Sequence, residues 1–231
     1  MAIPFFLALT AAEFAKMSHF PTHIAWMACH FSPYGTGITN LPKTLPEGSL
    51  LILNDRTPVC GHDPELICQA LWETAREYRC SGLLLDLQRQ DSAETAAIIQ
   101  KVLTLPLPVA VSDLYAGMYD CPVFLSPPPL HIPLEAHTAP WQGREIWLEM
   151  TNEGSKIRVT KEGSTLTTIP CPALESNFRD DGLLCHYSTQ LTGDAVTFTL
   201  FRTQEDTQAL IEKAEILGVT HAVGLYQEFG K

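Results

Sequence analysis

A chain of 231 residues, 45% hydrophobic and 18% charged, has the composition of a globular protein and the length of one large domain or two small ones. A net charge of −11, with no clustered Lys or Arg, argues against a nucleic-acid groove and against an anionic membrane surface as partner.

The N-terminal run MAIPFFLALTAAEFAKM has no Lys or Arg before Lys16, so it lacks the basic region of a secretory signal, and it is too short to cross a bilayer. It reads as buried structure, and a cytoplasmic location is expected. The segment His23–His30 reads as a strand. After a loop, Ser49–Asp55 is a continuous apolar run, the pattern of a strand buried on both faces in a parallel sheet. Asp63 and Pro64 suit the cap and first position of a helix whose buried face carries Ile67, Leu71, Ala75 and Tyr78.

The next strand is CSGLLLDLQRQD, Cys80–Asp91. Asp91 or Ser92 then caps a second helix with Ile99, Val102 and Leu103 on its buried stripe, and Pro106 ends it. Strand, helix, strand, helix is the order of parallel strands with crossover helices. Further strands follow at Pro108–Asp113, Cys121–Ser126 and Arg144–Met150, the first two too close together for a full helix between them.

The stretch Lys156–Ile169 alternates around Glu162-Gly163, a hairpin signature, and Cys185–Gln190 with Ala195–Phe201 forms a second candidate hairpin. Both read as local antiparallel additions. Thr203 caps a helix with Asp206 at its third position, Leu210, Ala214 and Leu217 on one face and Gly218 at its end; Thr220–Tyr226 is the last strand. About eight core strands, the number of a closed barrel, predict a single α/β domain over residues 1–231: an irregular TIM-type (β/α)8 barrel with some helices reduced to loops and extra β-hairpins. The competing architecture, an open doubly wound sheet, lacks its GxGxxG loop; Tyr34-Gly-Thr-Gly37 is a fragment of it and reads as a turn.

In such a barrel the strand ends meet at one mouth, where catalytic side chains collect. The candidates are Asp55, Asp86 with Gln88, Asp113, Glu149 and Glu228, set against the plain reading that every strand leaves its core through something polar. Side chains two apart share a strand face, so Leu84, Asp86 and Gln88 point one way and Leu83, Leu85 and Leu87 the other. A carboxylate placed inward needs polar partners. Trp26 and Tyr226 are the aromatic candidates for packing against a sugar ring, with core packing as the alternative.

The seven cysteines show no CxxC spacing and read as small buried hydrophobes, which predicts no disulfide framework. His131, Glu135 and His137 match no established chelate, and neither a metal nor a cofactor is expected. A serine hydrolase is disfavoured by the absence of G-x-S-x-G.

The stretch Ser81-Gly-Leu-Leu-Leu-Asp-Leu-Gln88 resembles the D-G-x-D-x-D-x-E strand of family-18 glycoside hydrolases, the chitinase-like barrels. Gly82 and Asp86 match it. Ser81 and Leu84 replace the first two aspartates, and Gln88 stands where that family has its catalytic glutamate. The resemblance implies an eight-stranded barrel that binds N-acetylglucosamine polymers, with the residue corresponding to Asp86 orienting the acetamido group. It also implies that the usual reaction is lost or impaired, because an amide has no acidic proton to give. Met118-Tyr119-Asp120 looks like another family element but comes too soon after Gln88, so no role is carried over to it.

The leading expectation is thus a glycosidase-like barrel binding an oligosaccharide or other small polar ligand. The alternatives are an active glycosidase using Glu149 or Glu228, and a structural or partner-binding protein with a large exposed apolar patch.

Overall fold

The computed structural model describes residues 3–34, 37–89, 92–172 and 178–230. Gly35 and Thr36 of the anticipated turn, and Asp91, one of two anticipated helix caps, lie outside them.

Fourteen strands occur among these residues: β1 (Phe5–Leu9), β2 (Ile24–Phe31), β3 (Ile38–Thr39), β4 (Leu50–Asn54), β5 (Gly82–Asp86), β6 (Val109–Ser112), β7 (Val123–Leu125), β8 (Ile146–Met150), β9 (Gly154–Thr160), β10 (Gly163–Ile169), β11 (Arg179–Asp180), β12 (Cys185–Thr192), β13 (Ala195–Phe201) and β14 (Val219–Leu225). Neighbour follows neighbour in parallel from β1 through β14, β8, β7, β6, β5, β4 and β2, and β2 pairs back onto β1. That closes a barrel of eight parallel strands, and the short β3 is an antiparallel addition to β2.

The helices are α1 (Ala11–Phe14), α2 (Pro64–Glu77), α3 (Ala93–Val102), α4 (Asp113–Ala116), α5 (Leu134–Thr138), α6 (Gln204–Ile216) and α7 (Tyr226–Phe229). Only α2, α3 and α6 exceed five residues, so the anticipated reduction of helices to short connections is what the fold shows. The caps explain where the long ones start. Asp63 accepts from the Glu65 N–H with Pro64 at the first position, and Ser92 accepts from the Thr95 N–H. Thr203 and Asp206 form a reciprocal capping box. Glu94, placed by its spacing to serve a cap at Asp91, instead accepts from the His62 N–H at 2.5 Å and ties α3 to the loop before α2.

The continuous apolar strands are buried on both sides. On β4 and β5, Leu51, Leu53, Leu83 and Leu85 pack outward against the helices. Leu50, Ile52 and Leu84 fill the interior together with Phe6, Ala25, Ala110, Phe124, Trp147 and Val223. At the N-terminal end of the strands the interior closes on aromatic rings. Trp147 and His221 are 4.3 Å apart between centroids, and Phe6 lies between His221 and His23. A Cβ at Gly82 would come within 2.7 Å of the Trp147 ring, so only glycine fits where β5 passes that indole.

The two anticipated hairpins join. β9 pairs with both β10 and β13, giving one five-stranded antiparallel sheet in the order β10-β9-β13-β12-β11, inserted between β8 and α6. Asp206 latches this sheet to α6: Arg179 Nε donates to one carboxylate oxygen at 2.8 Å, and the other accepts from His186 Nδ1 at 2.7 Å and from Thr203. Among the described residues no helix is long and apolar enough to cross a membrane.

Candidate functional site at the barrel mouth

The strands end on a cleft of about 540 Å³. Interior residues Ile52, Leu84, Phe124 and Val223 form its floor, and Asn54, Asp55, Asp86, Gln88 and Glu149 stand above them. The face assignment for β5 holds: Leu83, Leu85 and Leu87 pack in the outer core while Leu84 and Asp86 face the interior, and Gln88 continues that face just beyond the strand.

Asp55 fixes this corner. It is buried, and its Oδ2 accepts the backbone N–H groups of Gln88 at 3.0 Å and Arg89 at 2.7 Å. Arg89 returns two bonds, from its guanidinium to the carbonyls of Asp55 and Arg56. The chain after β5 is held further by Ser112 Oγ, which donates to the Leu87 carbonyl at 2.6 Å, and by the Tyr115 hydroxyl, which donates to Arg89 O. With its backbone pinned, Gln88 donates through Nε2 to Asp86 Oδ1 at 2.8 Å.

The carboxylates of Asp86 and Glu149 share the cleft. Burial raises the Asp86 carboxyl, the Gln88 amide opposes this, and the nearby Asp55 and Asp113 charges add to it. Burial, then Asp86, Glu228, Glu153 and Asp113, push Glu149 up to about 7. No hydrogen bond or ion pair reaches the Glu149 carboxyl among the described residues, so nothing offsets that burial.

Other anticipated residues lie elsewhere. Trp26 is buried in the outer core, its indole N–H bonded to Asn40 O at 2.9 Å, and is no platform in the cleft. The reason is plain alternation: Trp26 shares the outward face of β2 with Ile24, opposite Ala25, and the register shift that turns Cys29 outward as well comes only after it. Tyr226 opens α7 and packs against the same outer core. Asp113 starts α4, accepts a long 3.5 Å bond from Ser126 Oγ and acts on the cleft only through its charge. Glu228 is spent on structure: its carboxylate accepts from Thr151 Oγ1 at 2.9 Å and from the Asn152 N–H at 2.5 Å. It borders a separate cleft of about 450 Å³ with Asn152, Phe201 and Arg202. Among the described residues no three His, Cys, Asp or Glu side chains converge as metal ligands.

Thr10, Met27, His30, Asn40 and Arg56 also line the mouth. His30 stands near the end of β2, so the strand-end rule that selected the other candidates reaches it as well. Thr10 follows β1 directly and falls under the same rule, whereas Asn40 sits in a loop with a positive φ of 57°.

No family profile and no curated protein sequence matches the chain. Solved structures do, at low identity. The chitinase-like agglutinin of Robinia pseudoacacia aligns over 95% of this chain and 93% of its own, with 13% identity and a TM-score of 0.61. The spore cortex-lytic enzyme SleL of Bacillus cereus aligns over 96% and 70%, with 9% identity and a TM-score of 0.60. A family-18 chitinase of Cycas revoluta, solved in complex with (GlcNAc)3, aligns over 96% and 94%, with 10% identity and a TM-score of 0.58. The chain is thus an irregular α/β barrel with the fold of family-18 chitinases and chitinase-like proteins.

Proposed function

We propose that this barrel binds an amino-sugar oligomer or related carbohydrate in its mouth, and that it lacks or has altered the hydrolysis associated with its fold. The observation that carries this reading is the Asp86–Gln88 pair. It lies at the end of β5 in the register of the chitinase-like motif, and the position expected to give a proton holds an amide bonded to Asp86. Leu84, where the motif has its middle aspartate, is buried in an apolar cluster with Leu50, Ile52, Ala110, Phe124 and Trp147. A general acid is indispensable to glycosidic cleavage by this route. Binding needs only the cleft and its donors and acceptors.

The test is calorimetric titration of the protein and its Gln88→Glu variant with N-acetylglucosamine oligomers, followed by a hydrolysis assay. Binding by both, with cleavage appearing in Gln88→Glu alone, supports the reading. No binding by either sinks it.

A second reading rests on Glu149. A carboxyl pushed up to about 7, sharing the cleft with Asp86, has the proton affinity of a general acid working near neutrality. It predicts turnover in the native protein that disappears in Glu149→Gln. Absence of turnover in the native protein removes it.

A further inference from the structure

The cleft carries negative charge with no fixed cation to answer it. Glu149 has no hydrogen-bond or ion-pair partner among the described residues, and Asp86 is bonded only to the neutral Gln88 amide. Asp55, Asp113, Glu153 and Glu228 add their fields from the surrounding loops and from α4 and α7. The two arginines near the mouth do not neutralise the pair. Arg89 directs its guanidinium to backbone carbonyls, and Arg56 is exposed at the rim. His30 is the remaining titratable group at the cleft, its Nδ1 bonded to Ala28 O at 3.0 Å.

We infer that the cleft selects a cationic amino sugar, a glucosamine unit with a free 2-ammonium, over its N-acetylated counterpart. This rests on the carbohydrate reading of the cleft and narrows its ligand. An ammonium seated between Asp86 and Glu149 brings one positive charge and three donors to two carboxylates whose one hydrogen bond among the described residues is that from the Gln88 amide to Asp86. An acetamido group brings one donor and no charge. The apolar floor of Ile52, Leu84, Phe124 and Val223 keeps bulk water from beneath the pair, so the attraction is screened less than on the open surface. The raised Glu149 carboxyl fits this account, since a group strained by unanswered negative charge is one that a bound cation relieves.

The experiment compares a glucosamine tetramer with an N-acetylglucosamine tetramer by calorimetry from about pH 6.5 to 8, the range in which Glu149 ionises, with the charge of the free amine followed by NMR. The free-amine tetramer is expected to bind about tenfold tighter or more. Glu149→Gln, and independently Asp86→Asn, should reduce that preference about fivefold or more while thermal unfolding confirms that each variant is folded. Glu205→Gln, an exposed acid on α6, controls for attraction to the overall charge of −11 and should leave the preference unchanged. Equal or tighter binding of the N-acetylated tetramer overturns this inference and leaves the carbohydrate reading standing. A preference that survives both cleft substitutions also overturns it. Binding of neither tetramer overturns the carbohydrate reading, and this inference with it.

Discussion

Strand β8 carries Trp147 and Glu149 on one face, two residues apart, and the two meet opposite environments. Trp147, toward the N-terminal end of the barrel, is fully buried, and its indole N–H donates to Glu145 Oε1 at 2.9 Å. That oxygen also accepts from Thr220 Oγ1, and the His221 ring packs at a tilt against the indole. The Trp147 N–H and the Thr220 hydroxyl thus both find an acceptor at this end. Toward the C-terminal end Glu149 faces a cleft, with its carboxyl unpaired among the described residues and its pKa raised by burial and by like charges. The same strands therefore supply a closed floor and an open mouth in which the Glu149 carboxyl has no partner among the described residues. A structure spends its satisfied bonds where it needs stability and leaves groups strained where it acts.

Substitutions at the two ends should separate these roles. The largest effect belongs to the floor. Trp147→Ala removes the biggest fully buried side chain and leaves a cavity among Phe6, His221 and Gly82, and a loss of about 3–5 kcal/mol is expected in chemical denaturation. Gly82→Ala places a Cβ at 2.7 Å from the same ring and 3.1 Å from the Pro108 carbonyl, which forces a shift in β5 worth about 1–3 kcal/mol. Destabilisation below about 0.5 kcal/mol for Gly82→Ala would mean that the indole moves freely and that the floor is not rigid. Glu145→Ala leaves the buried Trp147 N–H without its acceptor, and about 1–2 kcal/mol of destabilisation is expected.

The barrel was legible because its signal is local and redundant. Strands β4, β5, β6 and β8 are runs of Leu, Ile, Val and Trp with polar ends, and Asp63-Pro64, Ser92 and Thr203 mark helix starts by backbone chemistry that needs no partner. Asp86 and Gln88 follow from the same alternation. What the sequence left open depends on pairing at a distance. Period-two alternation identifies β9 and β13 as strands, but their union into one sheet is a contact between segments about forty residues apart that no local pattern encodes. Trp26 points outward with Ile24 by ordinary alternation, and its apolar neighbours on both faces of β2 left no local signal of which face was inward. Glu228 looked like a strand-end acid until α7 turned it onto Thr151 and Asn152. Trp147, the residue that seals the floor, reads in sequence like any apolar strand position.

An effect no larger than that of Glu145→Ala has the opposite sign, and it is the sharpest test of the comparison. Glu149 is raised from its ordinary 4.5 to about 7, so between those values the folded protein holds a proton that the unfolded chain has released. Stability should therefore rise as pH falls from above about 7 toward 4.5, with Asp86, also raised, acting in the same direction. Asp206, held down at about 2 by Arg179, Thr203 and His186 against the effect of its own burial, works the other way but only below its ordinary 3.8, outside this window. Glu149→Gln keeps the shape and removes the charge. Allowing for the share of solvent that reaches the cleft, the variant should be about 1–2 kcal/mol more stable than the native protein at pH 8, with the two nearly equal at pH 5. Denaturation at both pH values checks this. A Glu149→Gln protein less stable than native at pH 8 would mean that the carboxylate has found a partner, and the mouth would then be as self-satisfied as the floor.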